Sequence, residues 1–319
     1  MSSVNIRKET LSRPIIVDGI GRSGKFFLAK LLCGIENIEY FQYVSILEHI
    51  PFIYRLGFIN KKAAISLLQI NADEHSYNML AGRNLNLRFD DGSSIINSLE
   101  KSRYIKRSNK FIDNDKIRID KNPRYSPFIT HEAFPNIDIF FEAFPKVKIL
   151  LLRRNPIDLV HSWLLRGWGS RFENSDKLAF IPLINNKKFQ FPWYVDGWEE
   201  EYYLSSEIDR IIKCIDIIMG MEAAKYNDLT KEQKNKILII RYENLVQKTN
   251  VEISRLEDFT HNKKSSRMPK IMTNEKCPNK IEKKNREKKL DEILLMASNK
   301  YIDLLLSRVA DYESAQSIM

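Results

Sequence analysis

A three-layer α/β fold, with a mostly parallel central sheet flanked by helices, is predicted by three features of the sequence. Short runs rich in Ile, Val and Leu alternate with helical patterns along the chain. The first run, PIIVDGI (Pro14–Ile20), passes through a glycine-rich loop straight into the apolar helical stretch KFFLAKLL (Lys25–Leu32). The clearest buried run, VKILLLR (Val147–Arg153), leads into a segment with its own helix-start signal. Strand, loop and helix in that order are the parts of a parallel sheet with crossover helices.

The elements follow in chain order. IEYF (Ile38–Phe41) is expected to form a second strand. From Val44 to about Leu80 the pattern is helical, with breaks expected near Pro51 and Gly57. GRNLNLRFDDGSS (Gly82–Ser94) is rich in turn residues, so a surface excursion is expected over 82–115. KIRID (Lys116–Asp120) reads as a short strand ending at KNP, and a helix containing His131 to Phe134 is expected after it, limited by Pro127 and Pro135. After VKILLLR, Asn155 can cap a helix, Pro156 suits its first position and Asp158 favours its dipole. Residues 165–197 are irregular and rich in Trp, Phe and Asn. Trp198 to about Tyr226 reads as one long amphipathic helix, and KILIIRYENL (Lys236–Leu245) as strand then turn. Lys263 to Lys289 is strongly basic and polar, and a last helix is expected from about Leu290 to Val309. No internal repeat is visible, and one domain over 1–319 is expected.

Composition narrows the partners. The chain has 319 residues, 43% of them hydrophobic and 29% charged, which is the balance of a globular chain with a sizeable core. A net charge of +10 favours anionic ligands over cationic ones. Cys33, Cys214 and Cys277 are far apart and form no C-x-x-C pair, so neither a zinc site nor a disulfide framework is expected. The first residues, MSSVNIRKETLSRP, lack the apolar core of a signal peptide, and no apolar run reaches membrane-spanning length. The expectation is a cytoplasmic protein, or one peripheral to a membrane without a span of its own. Nucleic acid is not an expected partner.

The loop GIGRSGKF (Gly19–Phe26) satisfies three phosphate-binding patterns at once. As G-x-G-x-x-G it uses Gly19, Gly21 and Gly24. A dinucleotide loop, however, needs an acidic residue about 20 positions on, for which Glu39 is the offer, and has no use for the cations Arg22 and Lys25. As G-x-x-x-x-G-K it is most of a Walker loop, but the next residue should carry a metal-binding hydroxyl and is Phe26. The acidic strand end that such a site also needs is replaced by Arg153 and Arg154. Read as R-S-G, the loop suits a phosphosulfate held without metal, by backbone N–H groups and basic side chains. The second strand end then adds Arg154, Asn155-Pro156 and, on the following helix, Ser162.

The pair GIGRSGKFFL and LLLRRNPIDLVHSW resembles the sulfotransferases that use 3′-phosphoadenosine 5′-phosphosulfate (PAPS) as donor, closer to their bacterial and Golgi-type members than to the cytosolic ones. The second segment matches R-N-P-x-D-x-x-x-S at Arg154, Asn155, Pro156, Asp158 and Ser162, and RYENL (Arg241–Leu245) is similar to the family's third landmark. The resemblance implies a P-loop-type α/β fold and no metal. It implies that Gly21, Arg22, Ser23, Gly24, Lys25 and Phe26 wrap the 5′-phosphosulfate, that Phe27 and Tyr242 lie near the adenine, and that Arg154 and Ser162 bind the 3′-phosphate. DKNP (Asp120–Pro123) is similar to the segment carrying a catalytic lysine, so Lys121, with Lys25, would stabilise charge on the transferred group. The cytosolic catalytic histidine is replaced by Pro123, and His131 falls eight positions later. Glu48, in SILEHIP, stands where other members place a glutamate base, with Glu39 and His49 as alternatives; as an ordinary helix residue Glu48 would lie on the surface. The C-terminal loop that helps hold the 3′-phosphate is missing, and Arg267 and Lys270 are the available substitutes.

The implied reaction moves a sulfuryl group from PAPS to a hydroxyl or amine of a glycan, lipid or small molecule and releases the 3′,5′-bisphosphate PAP. Two other readings stay open: a P-loop nucleoside-phosphate binder or kinase-like protein, and a non-catalytic module that binds PAP.

Overall fold

The computed structural model describes residues 6–109, 124–171, 180–186 and 189–314. Strand β1 (Pro14–Asp18) is buried at every position, and helix α1 (Lys25–Leu32) follows the glycine loop as expected. Residues 38–41 are not a strand. Ile38 makes only an isolated bridge to Tyr125, and the ladder begins at β2 (Gln42–Tyr43). The N–H of Tyr40 is taken by the Tyr104 hydroxyl at 2.8 Å and not by a neighbouring strand, beside the Glu39 carboxylate, which meets Arg103, Arg107 and Tyr104. Helix α2 (Ile46–Arg55) runs through Pro51, contrary to the expected break. Its neighbours Leu47, Ile50 and Phe52 are all buried, and that burial, roughly 1.5–3 kcal/mol per large side chain, offsets the missing hydrogen bond. The break at Gly57 is real, with φ at +77°, and helix α3 (Lys61–Ala81) begins beyond it, capped by Asn60.

The excursion after Gly82 contains helix α4 (Lys101–Ser108). KIRID and KNP lie outside the described residues. The next strand, β3 (Ser126–Ile129), contains Pro127. Ser126 N–H donates to Arg13 of the β1 side, so by alternation the position of Pro127 faces β2, and β2 pairs only with Phe128 and Ile129. No helix spans His131 to Phe134. Glu132 has φ +49°, and Asp18 accepts hydrogen bonds from Thr130 Oγ1 and from the N–H groups of Ala133 and Phe134, which folds the segment into a tight turn. Helix α5 (Asp138–Ala143), strand β4 (Lys148–Arg153) and helix α6 (Pro156–Leu164) follow.

Strands β5 (Leu183–Asn186) and β6 (Phe189–Pro192) form an antiparallel hairpin in the irregular region. The long helix expected from Trp198 is two, α7 (Glu199–Leu204) and α8 (Glu207–Asp228), because Ser206 leaves helical geometry to cap the second. After α9 (Lys231–Lys234) and strand β7 (Ile237–Arg241), the expected turn is a short helix, α10 (Tyr242–Gln247). Helices α11 (Thr249–Thr260) and α12 (Met268–Asn274) come next. The last helix is also two, α13 (Lys283–Leu294) and α14 (Asn299–Ser314), and Ser298 between them donates its N–H to Asp209.

The main sheet has the order β2-β3-β1-β4-β7, and every pairing in it is parallel. Side chains alternate across it. Ile15, Val17, Leu150 and Leu152 pack with α1, α11 and α12 on one face, while Ile16, Ile149 and Leu151 pack with α2, α3 and α5 on the other. A third apolar cluster joins α6, α8 and α14 around Trp163. The chain runs outward from β1 to β2, returns through β3, and crosses to β4 on the far side of β1. The strand order therefore reverses at β1, and the glycine loop stands at the carboxyl end of that switch point, where open α/β sheets bind ligands.

Candidate active site

The loop after β1 has a backbone that only part of the amino-acid alphabet tolerates. Gly19 has φ +142°, and a Cβ there would lie 2.3 Å from the Leu152 carbonyl oxygen. Arg22 takes φ +71° and Gly24 φ +102°. Ser23 N–H closes the turn on the Ile20 carbonyl at 3.0 Å. No side chain caps α1, so its positive end faces the loop. Gly24→Ala is expected to cost about 1–3 kcal/mol, read by urea unfolding, because the new Cβ would sit 2.6 Å from the Tyr242 ring at an unfavourable φ. Unchanged stability would show that Tyr242 yields freely.

The sequence-derived residues divide into two groups here. Arg22, Arg154, Ser162, Tyr242 and Phe27 come together. Arg22 Nε donates to Ser162 Oγ at 3.1 Å, and Arg154 Nη1 donates to the Arg22 carbonyl at 2.8 Å. The Arg154 guanidinium lies 4.5 Å from the centre of the Tyr242 ring, and Phe27 meets that ring edge-on. Partial burial, then the nearby charges of Arg166 and Arg154, lower the pKa of Arg22. These cations repel one another, and an anion between them relieves that repulsion. Ser23 Oγ and Arg154 Nε are buried without a hydrogen-bond partner among the described residues, beside a water-sized void beneath the loop that Arg153 and Glu222 also line.

Lys25 and Phe26 point elsewhere. Lys25 is buried, and its ammonium donates back to the carbonyls of Gly19 (2.5 Å) and Ile20 (2.9 Å). It ties the two ends of the loop together from below. Phe26 packs edge-on against Phe41 and lines a neighbouring cavity. Lys121 lies outside the described residues.

The second motif is anchored from the C-terminal third of the chain. Asn155 Oδ1 caps the N–H of Ile157, and the N–H of Asn155 donates to Glu243 Oε1, each at 3.0 Å. Tyr312 on α14 donates to the other oxygen of Glu243. Asp158 accepts from Arg286 and Lys289 on α13. Burial opposes ionisation of Asp158, but those two cations hold its carboxyl below the usual range. The basic residues that reach this motif are thus Arg286 and Lys289, which sequence reading did not single out. Of the expected substitutes, Arg267 pairs with Glu100 at 3.5 Å and Lys270 is exposed.

Beside the loop lies a cavity of about 270 Å³ that includes Gly21 in its wall. Aromatic side chains, Tyr43, Trp163, Trp168 and Tyr194 among them, form its sides. Glu48 lines it and is 8% exposed, so it is not the surface residue of the simpler reading. Its Oε1 accepts from the Tyr43 hydroxyl at 3.0 Å, and its Oε2 accepts from the His131 N–H at 2.7 Å and lies 3.2 Å from His131 Nδ1. Burial pushes Glu48 up to about 7, and burial together with Lys25 pushes His131 down to about 4. The two share a hydrogen bond and titrate as a pair. With Glu48 ionised, His131 Nδ1 carries the ring proton and Nε2 is the free acceptor. Glu132 accepts from the Gly21 N–H, joining this cavity to the loop.

The alternatives to Glu48 are placed differently. Glu39 is enclosed by Arg103, Arg107 and Tyr104, away from the loop. His49 sits 3.7 Å from Glu48, with its Nε2 on the Phe180 carbonyl. Among the described residues, no group of His, Cys, Asp and Glu is arranged to hold a metal, and no helix is long and apolar enough to cross a membrane.

Crowded cations at a helix N-terminus can hold an anion, and a carboxylate–histidine pair beside them can move a proton. The family model for the sulfotransferase domain matches residues 12–294, and the chain belongs to that family, whose chemistry is sulfuryl transfer. Solved structures of similar fold include the sulfotransferase domain from the curacin biosynthetic pathway (10% identity, 82% of this chain and 77% of that one, TM-score 0.41). Another is the sulfotransferase domain of the Synechococcus olefin synthase (12%, 84% and 80%, 0.41). A sulfotransferase from Mycobacterium tuberculosis is a third (11%, 97% and 78%, 0.43). No curated protein matches the chain in sequence.

Proposed function

We propose that the chain is a PAPS-dependent sulfotransferase acting on a hydroxyl or amine of a small molecule, or of the end of a glycan or lipid. The observation that carries this reading is the meeting of Arg22, Arg154 and Ser162 at the uncapped start of α1, with the Glu48–His131 pair in the adjoining cavity. The residues fit the donor. Left-handed Arg22 and Gly24 open the loop backbone, two guanidinium groups and a hydroxyl supply donors, and the Tyr242 and Phe27 rings offer an apolar surface to a base. PAPS, when bound, supplies the sulfuryl group and the PAP leaving group. Glu48 orients His131, and His131 Nε2 takes the proton from the acceptor as the new bond to sulfur forms. Lys25 supports the loop from beneath and keeps its carbonyls turned inward. The three cysteines are unpaired, which suits a cytoplasmic setting.

Calorimetric titration with PAP, with ATP and magnesium, and with NAD tests the donor assignment. Metal-free PAP binding is the expected result. Binding of ATP with magnesium or of NAD, with no response to PAP, would assign the loop to a different nucleotide. PAP binding without turnover on any acceptor would mark a binding module.

A further inference from the structure

Arg153 and Arg241 end neighbouring strands and are register partners across β4 and β7. Like charges placed directly opposite each other destabilise a sheet unless something neutralises them. Both line a cavity of about 240 Å³ enclosed by α8 and α14, and Arg308 of α14 lines it too. The protein supplies little counter-charge. Asp216 and Asp311 are taken up by Arg308, at 2.6 Å and 3.5 Å. Glu222 only just reaches Arg153, at 4.0 Å, and burial pushes its carboxyl up to about 8, so it is largely neutral at pH 7. Tyr312 lays its ring 3.8 Å from the Arg241 guanidinium while its hydroxyl goes to Glu243. Arg241 is 7% exposed, and its Nε and Nη2 have no hydrogen-bond partner among the described residues. A buried guanidinium with unmade hydrogen bonds is costly, and so needs an explanation.

We infer that this cavity is a second anion site, which takes a small tetrahedral oxyanion of the phosphate or sulfate class on Arg241 and Arg153, while Arg308 stays paired with Asp216 and Asp311. The planar fork of arginine matches two oxygens of such an ion, and Arg241 lines the cavity with its Nε and Nη2 unbonded among the described residues. The site is separate from the Arg22–Arg154 cradle. Adjacent residues at the end of β4 face opposite ways, with Arg154 against Tyr242 and Arg153 toward Glu222. The two regions share a wall nonetheless, since Glu222 also lines the void beneath Ser23 and Arg154. This assignment does not depend on which nucleotide the loop holds.

The test is thermal unfolding against sulfate and against phosphate, at an ionic strength fixed with chloride. It uses the Arg22→Ala/Arg154→Ala protein, in which the first cradle lacks its cations. A saturable rise of roughly 2–4 °C at about ten times Kd is expected, lost in Arg241→Met and weakened in Arg153→Met. A response to both ions supports the shared chemistry, and a response to one identifies the ligand. A rise that chloride matches, or one that survives Arg241→Met, overturns the site. Should Arg241→Met not fold, wild-type crystals soaked in selenate decide. An anomalous peak within hydrogen-bond distance of Arg241 or Arg153 supports the site, and peaks confined to Arg22 and Arg154 overturn it.

Discussion

His131→Ala is expected to lower kcat by about 10²- to 10⁴-fold while leaving PAP affinity unchanged. His131 stands in the cavity beside the loop and makes no contact with the Arg22–Arg154 cluster, so its loss should be felt in proton transfer and not in donor binding. Glu48→Gln separates orientation from charge. The amide oxygen can still accept from the His131 N–H groups, but the negative charge that stabilises an imidazolium is gone. The pH profile supplies the sign. His131 takes the proton, and the imidazolium it becomes is stabilised only by an ionised Glu48; burial pushes Glu48 up to about 7, so kcat/KM should rise as pH increases through about 7 and level off above it. That rising limb should disappear or move in Glu48→Gln. A His131→Ala enzyme with wild-type turnover would remove the pair from the mechanism and return attention to Lys121 and its surroundings.

Arg154→Ala is expected to weaken PAP binding by about 10- to 100-fold, the range for losing charge-assisted hydrogen bonds. Two losses add up. The guanidinium proposed to face the anion disappears, and with it the bond to the Arg22 carbonyl in the left-handed loop. Arg154→Lys should recover little, because an ammonium can neither fork nor stack on Tyr242. At saturating donor, kcat should stay within a few fold of wild type. Calorimetry with PAP measures the first effect and steady-state kinetics the second. Unchanged PAP affinity would mean that Arg154 serves only as a clamp for the loop.

The parts legible in the sequence are those whose physics is local. β1, α1, β4 and α6 announce themselves through apolar runs, a glycine loop and an Asn-Pro cap, and Arg22, Arg154, Ser162 and Tyr242, which the family resemblance grouped, lie together in the fold. The parts that were not legible depend on distant partners. Residues 38–41 are not a strand, and the Tyr40 N–H goes to the Tyr104 hydroxyl, more than 60 residues away. Pro51 stays helical because its neighbours are buried, which no local rule records. His131 falls eight positions after Pro123, and Pro127 reads only as a limit on a helix, whereas in the fold Pro127 lies in the strand Ser126–Ile129 that leads into His131. Lys25 reads as a phosphate ligand and turns inward, where its ammonium donates to the carbonyls of Gly19 and Ile20. Arg286 and Lys289 sit in a basic stretch with no motif, and only the folded chain shows that both meet Asp158.

Those last contacts bear on how the protein is made. The glycine loop leaves the ribosome early, Arg154 and Ser162 follow about midway, and the residues that fix the second motif come at the end: Arg286, Lys289 and finally Tyr312 on Glu243. At roughly 5–20 residues per second, about 15–60 s separate the synthesis of Lys25 from that of Tyr312. During that interval the loop waits for Leu152, Arg154 and Tyr242, against which it is held, and then for the residues that brace the helix after Arg154. The Arg22–Arg154 cluster is therefore among the last features to mature, and a chain released early keeps its most recognisable motif without the partners that hold it in place.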